Sequence, residues 1–216
     1  QVVVGDRHEF AQVVDVAAVP ATLGGTMLFQ VQNLLAATAA AVAIGIDPFI
    51  IEAAMMAFGT EPDLQPGAAN VLSYNDATII VDSPELVTTL RQLARGIRHV
   101  PHRRSLVVCG SLPRLSAEEI HEAGRVIGGI GGIVLLHGDQ GDERRMAALK
   151  AGIAAATVPP IVINVPDEEM AVDQLLNTIG TDDLGLVLVD EADVALSHLW
   201  PAPTINISSR RRRDAK

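Results

Sequence analysis

The sequence predicts an α/β chain built on a mainly parallel, doubly wound sheet, and three observations carry that prediction. Five continuous apolar runs, Ala77–Val81, Leu106–Cys109, Ile133–Leu136, Ile161–Val165 and Leu186–Val189, have the length and composition of buried strands. Helical segments fall between and after them, at about 84–98, 116–127, 142–156, 167–179 and, shorter, 192–199. Ser116 with Glu119 has the spacing of a capping box at the start of one of these helices. Strands alternating with helices imply parallel pairing through crossovers, the Rossmann-like arrangement, with five or six strands between about 70 and 207. Thr204–Ile207, after Pro203, is a candidate edge strand. Aromatic residues make up only 3% of the 216, so the core must come from Ala, Val, Ile and Leu.

Residues 1–62 have a different texture. Gln1–Val4 and Gln12–Ala18 read as short strands joined by the polar Gly5-Asp6-Arg7-His8 turn and closed by Gly24-Gly25. A pair this small needs a neighbouring sheet to complete it. Gln32–Ile46 reads as a helix with small residues on every face. Asp47-Pro48 supplies an N-cap and a first-turn proline for a second helix ending at Phe58-Gly59. Residues 63–69, with Pro66 and Gly67, read as a hinge, and 208–216 as a basic tail.

Composition narrows the function classes. A net charge of −10 argues against general nucleic-acid affinity, and Arg210–Arg213 reads as a solvated tail. No apolar run has the length of a membrane span, and the expectation is a soluble, cytoplasmic protein. The single cysteine, Cys109, sits within an apolar run and reads as a small core residue. No GxxxxGK[ST] phosphate loop is present. The Gly128–Gly132 cluster precedes a strand and therefore reads as a tight connection, not a dinucleotide loop.

Ligands of doubly wound sheets sit outside the carboxyl ends of the strands. Those ends are Asp82-Ser83-Pro84, Gly110–Arg114, His137-Gly138-Asp139, Asn164–Asp167 and Asp190-Glu191. The acids of the 137–145 stretch could hold a divalent ion or an amino group and its arginines a carboxylate, or they could simply cap a helix. Neither Ser83, Ser111 nor the six histidines show the spacing of a nucleophile with its base, so no catalytic residue and no metal ligand is assigned.

Phe29-Gln30-Val31-Gln32-Asn33-Leu34-Leu35-Ala36-Ala37, with the Ala-rich helix and Gly45-Ile46 after it, resembles the N-x-x-N-x-x-A-A segment of the Mur ligase superfamily. Phe58, Pro62, Gln65-Pro66-Gly67 and Asn70 look like that family's hinge, as cyanophycin synthetases write it. Val14-Asp15 and Pro20–Gly25 are similar to cyanophycin synthetase as well. Ile79–Pro84 falls where the family has its first C-terminal strand and its D-Y-A-H-N-P motif. Val107–Gly110 falls on the strand before a loop rich in glycine and arginine.

The resemblance implies that 1–62 is the C-terminal end of a central ATPase domain and 70–207 a Mur ligase C-terminal domain. It implies an ATP-dependent amide-bond ligase for amino acids or peptides, using ATP and Mg, with the phosphate loop in a missing N-terminal region or partner chain. Neither ATP nor Mg is then expected to stay bound to this chain alone. Asn33 would face the nucleotide, and Asp82, Arg114 and Asp139 would bind the incoming amino acid. A homo-oligomer is also compatible with the family. Three departures supply the alternative, a catalytically degenerate binding or assembly module. Ala68 replaces the hinge arginine, Asp82-Ser83-Pro84 shortens the D-Y-A-H-N-P motif, and Arg114 is the one basic residue left in its loop.

Overall fold

The computed structural model describes residues 2–5, 10–138, 143–190 and 192–199. A two-stranded antiparallel ribbon, β1 (Val2–Gly5) and β2 (Phe10–Val14), opens the chain. The second strand ends four residues earlier than expected. Asp15 accepts a hydrogen bond from the Ala17 N–H and turns the chain into two single 3-10 turns, 16–18 and 20–22. Helix α1 (Leu28–Ala43) begins one turn before Gln32, and α2 (Pro48–Ala57) is capped by Asp47, which accepts from the Phe49 N–H at 2.8 Å.

A six-stranded sheet follows, made of β3 (Asn70–Tyr74), β4 (Ala77–Asp82), β5 (Ser105–Cys109), β6 (Ile133–His137), β7 (Ile161–Val165) and β8 (Leu184–Leu188). Its order is β3-β4-β8-β5-β6-β7, with β3 antiparallel and every other pairing parallel. The strand beyond the five expected apolar runs is β3, immediately before β4, and Thr204–Ile207 lies outside the described residues. A two-residue turn, Asn75 (φ 49°) and Asp76 (φ 61°), joins β3 to β4. Both residue types tolerate left-handed backbone, and two such residues in succession give the hairpin turn that matches strand twist.

Helices α3 (Val87–Ile97), α4 (Ile120–Gly128) and α5 (Glu143–Ala154) share one core with Ile80, Val107, Val134 and Leu186. Helices α6 (Glu168–Thr178) and α7 (Ala192–Leu199) share the other with Ile79, Leu106, Leu135 and Val187. Alternate residues of each strand thus feed opposite faces, as the two-residue period requires. After β7 the chain turns back to insert β8 between β4 and β5, and a right-handed crossover in the reverse direction must cover the other face. Strand β7 is an edge strand, with Ile161 65% exposed, whereas β8 is buried throughout.

Met27, at the entry to α1, is 1% exposed and belongs to the core that α3 shares with the sheet. It is accommodated by Gly96, where an added Cβ would lie 2.5 Å from the Met27 sulfur. One buried side chain therefore ties the N-terminal elements to the larger sheet.

Candidate functional site

A cavity of about 430 Å³ opens between α1, α2 and the hinge. Its walls are mostly apolar, with Leu34, Ile46, Ile51 and Met55 among them, and its polar groups are the carboxamides of Gln30, Asn33 and Gln65. Asn33 donates from Nδ2 to Gln30 Oε1 at 3.1 Å, which orients both amides. An i, i+3 pair on a helix presents its groups to the same side, so the two residues act together. An apolar slot with a few fixed amide donors and acceptors has the chemistry of a site for a planar heterocycle. No cationic side chain is among its lining residues.

From Gln65 a hydrogen-bond chain runs through the hinge to the end of β4. Asn70 donates from Nδ2 to the Gln65 carbonyl at 2.8 Å and to the Thr60 carbonyl at 3.0 Å, while its Oδ1 accepts from the Gly67 N–H. Asp82 Oδ1 accepts from the Ala69 N–H at 3.0 Å, holding Ala69 at φ 54°. Asp82 is only 5% exposed, and its Oδ2 has no hydrogen-bond partner among the described residues. Burial pushes its pKa up to about 6, against the lowering effect of the Ala69 N–H.

The remaining strand ends form a separate group. Arg114, in the loop after β5, pairs with Glu85 in the loop after β4, Nη1 to Oε1 at 3.2 Å, and both are exposed. The Arg145 guanidinium donates to the carbonyls of Ser111, Leu112 and Leu115 and so fixes that loop, in which Leu112 has φ 52°. The His137 ring packs on Gly110, where an added Cβ would meet Cε1 at 2.7 Å. Its buried Nε2 has no hydrogen-bond partner among the described residues and lies 3.8 Å from Glu168 Oε2. Burial depresses the His137 pKa, with Asp167 acting in the opposite direction. The Cys109 thiol is pushed up to about 12, first by burial and then by Asp190, and is inert.

Ser116 and Glu119 do interact, but α4 starts at Ile120, a turn later than expected. The Glu119 carboxylate accepts from the Ser116 N–H and hydroxyl and, with its other oxygen, from the Val87 N–H at the start of α3. It staples two helices together and caps neither in the expected way.

The structure thus places Asn33 on the α1–α2 cavity and Asp82 under the hinge, while Arg114 faces Glu85 on the surface. Asp139 lies outside the described residues. Gln30 joins the site through its i, i+3 bond to Asn33, Gln65 by lining the same cavity, and Asn70 through its bond to the Gln65 carbonyl. All three carried a sequence signal, Gln30 in the Asn33 segment and Gln65 and Asn70 in the hinge. Among the described residues no cluster of three His, Cys, Asp or Glu could hold a metal ion. Nor is any described helix long and apolar enough to cross a membrane.

No family model and no curated protein sequence matches the chain. Solved structures do. FolC from E. coli, in complex with DHPP and ADP, superposes with a TM-score of 0.64 at 17% identity, over 90% of this chain and 42% of that one. MurF ligase from Thermotoga maritima, in complex with ADP, gives 0.59 at 18%, over 79% and 37%. The UDP-N-acetylmuramoylalanyl-D-glutamyl-2,6-diaminopimelate–D-alanyl-D-alanyl ligase of Acinetobacter baumannii gives 0.56 at 20%, over 79% and 35%. These neighbours are members of the Mur ligase superfamily, and the chain has a Mur-ligase-like α/β fold. It spans about two-fifths of their length.

Proposed function

We propose that this chain is the C-terminal part of an ATP-dependent ligase joining a carboxylate to the amine of an amino acid or peptide, of the type of cyanophycin synthetase. The observation that carries the reading is the α1–α2 cavity, which Asn33, bonded to Gln30, lines together with the hinge residue Gln65. Two of the similar structures hold ADP, which supports a nucleotide in the parent protein. In this reading residues 1–62 complete an ATPase domain, 63–69 form the hinge and 70–207 the C-terminal domain. ATP would supply the phosphoryl group that activates the carboxylate. The residues of this chain would hold the base, close over it through the hinge and position the amine.

The phosphates and Mg need cationic and acidic groups that the cavity does not contain, and these belong to the missing region or a partner chain. That region has a docking face on α2, where Phe49 is 75% exposed and Ile50 and Met56 are exposed beside it. A soluble cytoplasmic location fits this role.

A second reading, a degenerate binding or assembly module, is favoured by the state of the amine-site residues. Arg114 is neutralised by Glu85, and the Asp82 carboxyl is enclosed rather than presented.

The test is occupancy of the base site by the 216-residue chain, read as amide chemical shifts during titration with adenosine to millimolar concentration. Saturable shifts at Gln30, Asn33 and Gln65, lost in Asn33→Leu, support the ligase reading. Absence of shifts in the wild type removes it and leaves the assembly module.

A further inference from the structure

On the far side of the sheet from the strand carboxyl ends lies a second cleft, of about 290 Å³, lined by Gly25, Thr26, Leu28, Arg95, Arg98 and His99. Its place follows from topology. Helix α3 leaves the carboxyl end of β4 and runs back along the sheet, so Arg95–His99 reach the edge where β5 begins. The Leu23–Thr26 turn faces them, held there by Met27 against Gly96.

The charges of this cleft stand out in a chain with ten more acids than bases. Among the other described arginines all but Arg144 are engaged. Arg91 and Arg125 pair with Glu122, Arg103 and Arg104 with Asp183, and Arg114 with Glu85, while Arg145 holds three carbonyls. Arg95 and Arg98 have no carboxylate or hydrogen-bond partner among the described residues, although both line one concavity. The negative end of the α3 dipole favours cations there but satisfies no guanidinium fork. The opposite wall is backbone. Gly25 (φ 83°), which lines the cleft, and Gly24 (φ 69°) before it follow Leu23 in left-handed conformation. Exposed Leu28 gives the cleft one apolar wall.

We propose that this cleft binds a small oxyanion-bearing ligand, a phosphate or a carboxylate, gripped by Arg95 and Arg98 and bridging α3 to the Leu23–Thr26 turn. Planar guanidinium forks match both oxyanions in bidentate geometry. The site is independent of the α1–α2 cavity and of the strand carboxyl ends.

The experiment is amide and guanidinium chemical-shift titration at low ionic strength with inorganic phosphate, with succinate, and with sodium chloride at matched ionic strength. Expected are saturable shifts at Gly25, Thr26, Arg95 and Arg98 with phosphate or succinate and not with chloride. Arg95→Gln/Arg98→Gln should weaken the affinity at least about tenfold, and Arg91→Gln, whose partner is Glu122, should leave it unchanged. Arg95→Lys/Arg98→Lys keeps charge and fold, and an intermediate loss there identifies the fork geometry. Tighter phosphate assigns a phosphorylated ligand, tighter succinate a dicarboxylate. Shifts equal to those with chloride, or unchanged in the double glutamine variant, overturn the proposal.

Discussion

Enclosed beneath the hinge with one oxygen bonded to the Ala69 N–H and the other without a partner among the described residues, the Asp82 carboxyl is easier to bury neutral than charged. Its pKa of about 6 lies above the ordinary 3.8, so the folded state holds a proton that the unfolded state releases between those values. Stability must therefore fall as pH rises from near 4 to near 6, by about 3 kcal/mol at roughly 1.4 kcal/mol per pH unit. Buried His137 acts oppositely, since its depressed pKa removes stability as pH falls below the ordinary histidine value of 6.5. The difference between wild type and Asp82→Asn isolates the carboxyl. Urea midpoints measured from pH 4 to 6.5 should show the variant gaining on the wild type as pH rises, and parallel curves would refute the assignment. Asp183 poses the contrary case. Burial pushes its pKa up, but hydrogen bonds from Arg103, the Gly180 N–H and Arg104 outweigh this and lower it. Asp183→Ala forfeits those bonds and is expected to cost about 2–4 kcal/mol in denaturant unfolding.

Two contacts between elements carry similar weight. Helices α4 and α5 cross at glycines. A Cβ at Gly124 would sit 2.3 Å from the Leu149 carbonyl oxygen, and one at Gly152 would sit 2.1 Å from that of His121. Either alanine variant must push the backbones apart, and a loss of about 1–3 kcal/mol in thermal or urea unfolding is expected. An unchanged midpoint would show that the helices separate freely. Met27 is the corresponding link between α1 and α3. Met27→Ala should cost about 2–5 kcal/mol and speed proteolysis within residues 10–60 ahead of the sheet. Uniform cleavage throughout would mean that this side chain does not couple the two parts.

At the scale of the whole molecule, the proposed role divides ATP chemistry between this chain and a region it lacks. The 216 residues alone are expected to show no ATP hydrolysis above a buffer blank, since their sequence contains no GxxxxGK[ST] phosphate loop. Turnover abolished by a substitution within this chain would overturn that expectation. Phe49→Asp should weaken association with the missing ATPase region in a pull-down, because the exposed face of α2 is its proposed contact, while leaving the unfolding of this chain unchanged.

Local signals in the sequence settled much of this architecture. Four-to-five-residue apolar runs between helix-length segments located β4 to β8 and their helices, because a buried parallel strand has to be apolar on both faces. Asp47-Pro48 marked the start of α2, since a cap and a first-turn proline act within one turn. The β3–β4 hairpin lay outside those signals, because Asn70 and Ser73 interrupt the apolar pattern of β3. What only the tertiary structure decided depends on residues far apart in the chain. The insertion of β8 between β4 and β5 is a pairing choice that no local period encodes. The turning of Asp82 beneath Ala69 follows from the path of the hinge. Arg95 and Arg98 face the Leu23–Thr26 turn only because Met27 finds its cavity above Gly96, roughly seventy residues along the chain.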